Sequence, residues 1–247
     1  MVTIVISKIL ILLGVTLPFL YLSFDRDRKN YKSLLLFVFY YLGWCFFNSP
    51  LRGLVINTAI IESKWNWEGK ILAFIFSVLF ISVFHSHFND NNFFTFRQIK
   101  NSVKPILLTV LSILFLSSLI TYFTSGATTF DIDTLAFQLT MPGLDEEFAH
   151  RGIMMGLLLS TLKPSFIPQK SVILNPAILV TALLFGMVHG LPLTPVADYR
   201  FDFFAFGYTF IFGLIWGWMA LKSRSILTPI ISHSANNFVV TLVTMLK

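Results

Sequence analysis

The residues of this chain that could do chemistry lie in three short clusters, each within or beside an apolar run. The first covers Glu146 to Arg151 (Glu-Glu-Phe-Ala-His-Arg), the second ends at His189, and the third contains His233 and Asn237. An ionisable side chain at the centre of a membrane helix costs about 2.5–3.5 kcal/mol even on the mildest scale, so such residues mark candidate functional sites. Carboxylates, imidazoles and an amide on separate helices predict a hydrolytic site.

The first cluster contains two neighbouring glutamates and an arginine. Glu147 and Arg151 have the i, i+4 spacing of side chains on one helix face, and we expect an ion pair with the carboxylate on the N-terminal side. Glu146 is then left free to ionise, to bind water or to bind a metal ion. The alternative for both glutamates is a position in the lipid headgroups at the start of a helix, where the helix dipole favours negative charge.

The second and third clusters supply the imidazoles. His189 follows Gly186, and small residues allow helices to approach closely. His233 and Asn237 again have i, i+4 spacing on the last helix, and the amide is placed to stabilise a developing oxyanion. Asn236 is expected to face elsewhere and to form interhelical hydrogen bonds.

Two kinds of hydrolytic site fit these residues. Glu146, His189 and His233 match the ligand set of a catalytic zinc ion, whose fourth position holds water. In a metal-free site, Glu146 acts as general base on a water held by His189. His233 and Asn237 then polarise the scissile carbonyl. Residue types alone leave both alternatives open, whereas the motifs G-x-S-x-G, H-E-x-x-H and G-x-G-D are absent from the sequence.

The composition is that of an integral membrane protein. Hydrophobic residues make up 55% of the 247 residues and charged residues only 12%, against about 25% in soluble domains. The excess of positive charge lies in short loops between apolar runs, which is typical of charges that set membrane topology. We therefore expect the lipid bilayer and a membrane-associated substrate as partners, and no nucleic acid. A single cysteine, Cys45, excludes disulfides within the chain.

The elements that must position the three clusters are helices that cross a bilayer, which takes about 20 apolar residues each. Eight apolar runs predict an all-α, polytopic integral membrane protein with about eight transmembrane helices. The runs cover residues 2–22, 33–49, 71–88, 103–123, 143–162, 174–190, 203–221 and 226–246. We expect residues 1–125 to supply N-terminal transmembrane helices and residues 126–247 the catalytic helical core of one membrane domain. Residues 50–70 fit a surface-lying amphipathic segment or an exposed loop.

Three motifs follow one another, each in its own predicted helix. They are Glu146-Glu147-x-x-x-Arg151, Phe185-x-x-x-His189 and His233-x-x-x-Asn237. In this order they resemble the type II CAAX prenyl endopeptidase family, also called the CPBP (CAAX protease and bacteriocin-processing) or Abi family of intramembrane proteases. The resemblance covers about residues 135–245. It implies an eight-helix membrane protein whose catalytic residues face a cavity within the bilayer.

The resemblance also implies a role for each motif. Glu146 would activate water, and His189 would help to hold that water or a metal ion. His233 and Asn237 would bind metal or stabilise the oxyanion, and the second glutamate and the arginine of the first motif would support it. One position departs from the family. His150 stands where many relatives have Phe, and its spacing places it to hydrogen-bond the carboxylate of the first glutamate.

The resemblance implies an intramembrane endopeptidase that cuts a CAAX-type prenylated protein or a leader or bacteriocin-like peptide. The main alternative is a bacteriocin self-immunity factor or a membrane scaffold of the same fold, which acts by binding alone. A proton-relaying transporter is a third, but the repeats and broken helices of transporters are not evident in the sequence. The abundance of Phe, Ile, Lys and Asn indicates an AT-rich genome and favours a bacterial cell membrane over the endoplasmic reticulum.

Overall fold

The computed structural model describes residues 1–26, 31–56, 60–88, 92–164 and 175–247. Within these ranges the regular structure is helical, and the extended pairing is an isolated bridge between Phe24 and Leu162. The helices are α1 (Val2–Ser23), α2 (Tyr31–Asn48), α3 (Trp67–Phe84), α4 (Lys100–Thr124), α5 (Ile132–Glu147), α6 (Met155–Leu159), α7 (Pro176–Gly190), α8 (Phe203–Ser223) and α9 (Leu227–Leu246). Shorter 3₁₀ turns lie at Pro50–Leu54 and His85–Phe88. The predicted all-α class is confirmed.

The chain is a polytopic membrane protein. Four helical stretches in the described residues are long and apolar enough to cross a membrane, by length and composition: Val2–Ser23, Trp67–Phe88, Lys100–Thr124 and Phe203–Ser223. The predicted runs at 33–49, 174–190 and 226–246 coincide largely with α2, α7 and α9, whereas the run at 143–162 is divided between the end of α5, a π-helical segment and α6. The run predicted at 174–190 begins at a residue outside the described ranges.

One predicted helix begins earlier than its apolar run. α5 begins at Ile132, not at residue 143, because Asp131 caps it. The carboxylate of Asp131 accepts hydrogen bonds from the main-chain N–H of Asp133 at 3.0 Å and from Thr134 Oγ1 at 2.7 Å. Lys64 Nζ lies 2.6 Å from the same carboxylate, and these partners hold the pKa of Asp131 at about 2.

The segment before α3 packs against α5. Trp65 stacks on Phe137 with ring centroids 5.0 Å apart, and its Nε1 donates to Thr134 Oγ1 at 2.9 Å. Trp67 Nε1 donates to Asp133 Oδ1 at 2.9 Å. The described part of residues 50–66 is therefore a 3₁₀ turn followed by a loop anchored to the protein, and residues 67–70 belong to α3. Residues 57–59 lie outside the described ranges.

A π-helical segment, Phe148–Met154, joins α5 to α6. A π-helical turn closes i→i+5 hydrogen bonds, so it shifts the following side chains around the helix axis relative to an α-helix. Such segments are short and occur frequently at functional sites. Here the segment begins directly after Glu147 and contains His150 and Arg151, so the irregular backbone coincides with the first motif.

α5 and α9 approach each other closely at Gly143. A Cβ at this position would collide with Ser234 Oγ and would lie 3.0 Å from the main-chain oxygen of Ile230. The absence of a side chain at Gly143 therefore lets α9 lie against α5. This contact occurs one turn before the glutamates, so it also sets the distance between the first and third motifs.

We expect Gly143→Ala to lower the free energy of unfolding by about 1–3 kcal/mol, the usual cost of overpacking. The cost should outweigh the gain of about 1 kcal/mol in helix propensity. Gly14→Ala in α1 is the matched control, because nothing lies within 4 Å of its Cβ position. Thermal unfolding in detergent, followed by circular dichroism, measures both variants. Equal stability of the two would show that α5 and α9 are not closely packed at this point.

Candidate active site

Glu146 lies at the centre of the site, in the last turn of α5. Its Oε1 accepts a hydrogen bond from Lys70 Nζ at 2.7 Å. Its Oε2 is buried, has no hydrogen-bond partner in the described part of the chain, and lies 4.0 Å from His233 Nε2. One carboxylate oxygen is thus held by a cation, and the other is free and directed towards an imidazole.

Lys70 also binds a second carboxylate. Its Nζ donates to Asp145 Oδ2 at 3.0 Å, and Asp145 in turn accepts from Trp44 Nε1 at 3.1 Å and from Asn48 Nδ2 at 3.3 Å. Asp145 is fully buried and Glu146 is 8% exposed. Buried charges persist in proteins when they are paired and hydrogen-bonded, as they are here. The alternative that the glutamates lie in the headgroups at a helix start is therefore wrong.

The predicted pair of Glu147 and Arg151 is present. Arg151 Nη1 donates to Glu147 Oε1 at 3.2 Å, and both side chains are fully buried. The same oxygen accepts a hydrogen bond from His233 Nδ1 at 2.8 Å. Because a carboxylate only accepts, Nδ1 of His233 carries the hydrogen, and in the neutral ring Nε2 presents a lone pair. Glu147 therefore orients the histidine of the third motif.

An aromatic wall from α7 and α8 encloses these charges. The Arg151 guanidinium lies 4.6 Å from the ring centroid of Phe185 and 5.7 Å from that of Trp216. The imidazole of His233 stacks on Trp216, with centroids 4.0 Å apart and planes 14° apart. Gly213 leaves room for the arginine, since a Cβ there would lie 3.2 Å from Nη2. Stacking on Trp216 thus holds the imidazole of His233 in place, and cation–π contacts hold the guanidinium of Arg151.

The four predicted catalytic residues border one cavity of about 440 Å³ between α5, α8 and α9. They are Glu146, His189, His233 and Asn237. His189 Nδ1 donates to the carbonyl of Phe185 at 2.7 Å, so its Nε2 also presents a lone pair when the ring is neutral. The structure brings the three motifs together as expected.

A second cavity, of about 610 Å³, lies on the other side of the site. Its lining includes the 3₁₀ turn after α2 and the loop after α7, among them Asn48, Arg52 and Pro192. Lys70, Glu146 and His189 border both cavities. The candidate base therefore lies where a chain could extend in two directions.

His150 does not act as predicted. Its Nδ1 hydrogen-bonds the main-chain carbonyl of Glu146 at 3.0 Å and not the carboxylate. The ring packs edge-on against Trp44 and Phe185, at centroid distances of 5.0 and 5.3 Å. The prediction of a bond to the carboxylate is wrong because the π-helical segment and these aromatic contacts turn the imidazole towards the main chain.

Sequence reasoning missed Lys70. In the sequence Lys70 lies directly before the apolar run at 71–88. A single positive charge at such a point is typical of the charges that set membrane topology. In the structure Lys70 is in α3 and only 9% exposed. The site thus draws on both predicted parts of the chain, and the division between residues 1–125 and 126–247 stays a prediction.

The arrangement of donor side chains bears on the metal alternative. In the ranges that the structure describes, no group of three His, Cys, Asp or Glu side chains is placed to hold a metal ion. Glu146, His189 and His233 share a cavity without converging as ligands, and the ammonium of Lys70 already neutralises one glutamate oxygen. This arrangement does not fit a catalytic zinc ion, and the metal content stays a prediction.

Comparison with known proteins gives a family match for the C-terminal part of the chain. Residues 129–239 match the family model described as type II CAAX prenyl endopeptidase Rce1-like. No curated protein and no solved structure gives a significant match. The matched residues contain all three motifs, from Glu146 to Asn237, and the resemblance predicted from those motifs is confirmed. Over residues 129–239, slightly less than half of its length, the chain is therefore similar to the Rce1-like type II CAAX prenyl endopeptidase family.

Proposed function

We propose that this protein is an intramembrane endopeptidase that hydrolyses a peptide bond of a membrane-associated substrate with a water activated by Glu146. The observation that carries the proposal is the 4.0 Å separation of Glu146 Oε2 and His233 Nε2, beside the cavity. A water that donates one hydrogen to each of two acceptors at about 2.8 Å spans about 4 Å between them. The oxygen of such a water keeps its lone pairs for attack.

The hydrolysis proceeds in two steps. The water oxygen attacks the carbonyl carbon of the scissile bond, and a water proton passes to Glu146 Oε2. The tetrahedral intermediate then collapses, the C–N bond breaks, and Glu146 gives its proton to the leaving amine. His189 Nε2 is also an acceptor in the neutral ring, so we assign it to sharing with His233 Nε2 the water hydrogen that Glu146 does not accept. We assign Asn237 Nδ2 to the developing oxyanion, a role for which preorganised donors are effective.

The oxyanion role of His233 depends on its protonation. In the neutral ring, with Nδ1 bonded to Glu147, Nε2 accepts hydrogen bonds and does not donate them. We therefore propose that the His233 ring is neutral before attack and that its Nε2 accepts a hydrogen bond from the water. If the ring becomes an imidazolium during the reaction, Glu147 stabilises it, and Nε2 then becomes a donor to the oxyanion.

The family match and the composition support our proposals for the substrate and the location. A CAAX-type prenylated protein and a leader or bacteriocin-like peptide are the proposed substrate classes, and both place a peptide bond near a lipid-embedded group. The composition supports a bacterial cell membrane as the location. The two cavities beside Glu146 supply space for substrate residues on both sides of the scissile bond.

Cleavage of defined peptides tests the proposal. The purified protein in detergent is incubated with farnesylated CAAX peptides and with lipid-anchored leader peptides, and mass spectrometry identifies the products. We expect cleavage at one defined bond in at least one class. If no peptide is cut, and cells carrying Glu146→Gln still perform the cellular role, the protein acts by binding, as a self-immunity factor or scaffold.

Chelation of metal ions distinguishes metal-free hydrolysis from zinc-dependent hydrolysis. We expect cleavage to persist in EDTA or 1,10-phenanthroline, because Lys70 holds Glu146 and the donors do not converge. Elemental analysis of the same samples should give well below one zinc per chain. Loss of cleavage on chelation, its recovery with added zinc and stoichiometric metal would together reinstate Glu146, His189 and His233 as zinc ligands.

A further inference from the structure

Asn236 is a buried polar residue that the proposed reaction leaves without a role. It lies on α9 beside Asn237 and borders the same cavity as Glu146 and His233. Its side chain is 2% exposed, and its Oδ1 has no hydrogen-bond partner among the described residues. The sequence predicts interhelical hydrogen bonding for the Asn236 side chain, and among the described residues no such bond is made to its Oδ1. A buried acceptor without a partner is costly, and in native proteins it calls for a specific reason.

The surroundings of Asn236 indicate what it would bind. The cavity is lined by aromatic rings, among them Phe185, Phe212 and Trp216, and away from the charged and polar residues of the site its polar side chains include Gln138 and Thr241. A peptide that enters such a space loses water from its main-chain N–H and C=O groups, and each needs a partner. A carboxamide can be the partner of either group, because its oxygen accepts a hydrogen bond from N–H and its nitrogen donates one to C=O.

We propose that Asn236 is a substrate-anchoring residue, whose Oδ1 accepts a hydrogen bond from a main-chain N–H of the substrate beside the scissile bond. The inference rests on the proposed peptidase function and deepens it. It assigns to the cavity between α5, α8 and α9 an extended substrate segment whose apolar side chains face the aromatic wall. Asn236 acts in binding and takes no part in the proton transfers of Glu146.

Kinetics of Asn236→Leu test the anchor. With a synthetic peptide that the wild type cuts, we expect KM to rise roughly three- to tenfold, the value of one hydrogen bond, and kcat to change much less. The melting temperature should stay constant or rise, because leucine removes a buried acceptor that has no partner. Asn101→Leu, at an exposed position in α4, is the matched control and should alter neither quantity. A raised KM together with a lowered melting temperature would indicate a structural role and overturn the anchor.

Backbone N-methylation of the same peptide locates the bond. Methylation of the anchored N–H should raise the KM of the wild type by a similar factor and should have no further effect in Asn236→Leu. If the two changes are additive at every methylated position, the inference is wrong while the peptidase function stands. If the wild type cuts no peptide, the proposed function fails first, and the inference fails with it. Should Asn236→Leu not fold, Asn236→Ala replaces it in the same cycle.

Discussion

Glu146→Gln should lower the rate of peptide cleavage by about 10²- to 10⁴-fold, the contribution of a positioned general base. Glutamine keeps the size of the side chain and an oxygen that can accept from Lys70 Nζ, so the local packing should survive. It cannot take a proton from water at the position of Oε2, the oxygen that faces His233. The kcat on the cleaved peptide is the quantity to measure.

The control for this variant is Glu62→Gln, which removes an exposed carboxylate before α3 and should leave kcat unchanged. Binding of the peptide to Glu146→Gln should also stay close to the wild-type affinity, because the base contributes to the transition state and not to substrate binding. If Glu146→Gln keeps most of the wild-type kcat, another group activates the water and the proposed mechanism is wrong.

Lys70→Met should have the largest effect on stability. It leaves Asp145 and Glu146 buried beside each other without their shared cation. Breaking a buried ion pair by removing one partner costs about 3–5 kcal/mol, because the remaining charge is uncompensated. We also expect loss of cleavage, since nothing then holds Glu146 Oε1. Unfolding in detergent and the peptide assay measure the two effects.

The matched control is Lys64→Met. Lys64 also binds an aspartate, Asp131 at 2.6 Å, but its side chain is 61% exposed. An exposed pair of this kind contributes about 0–1 kcal/mol, so stability and activity should change little. The double variant Lys70→Met/Asp145→Asn removes one of the two stranded charges and should recover part of the lost stability. If the two substitutions destabilise additively, Lys70 does not act by compensating the buried carboxylates.

Much of the architecture and part of the site follow from the sequence. Apolar runs predict membrane helices because a helix in lipid must form the hydrogen bonds of its main chain internally and must present apolar side chains to the lipid. The ion pair of Glu147 and Arg151 was predictable for a similar reason, since four residues along a helix bring two side chains together whatever the rest of the fold does. The motif order then indicated the family. The start of α5 was missed because residues 132–142 are too polar to register as an apolar run.

Only the tertiary structure decided which partners these residues have. The hydrogen bond between Glu147 and His233 joins positions 86 apart in the chain, and that between Lys70 and Glu146 joins positions 76 apart. Such contacts depend on how α3, α5 and α9 pack and on the rotation that the π-helical segment introduces, and no spacing rule encodes either. For the same reason, hydropathy treats Asn236 as one more polar residue on a helix, whereas in the structure it is a buried acceptor at the border of the cavity. Short-range geometry thus determined the elements and the motif residues, whereas helix packing determined how the site holds its charges.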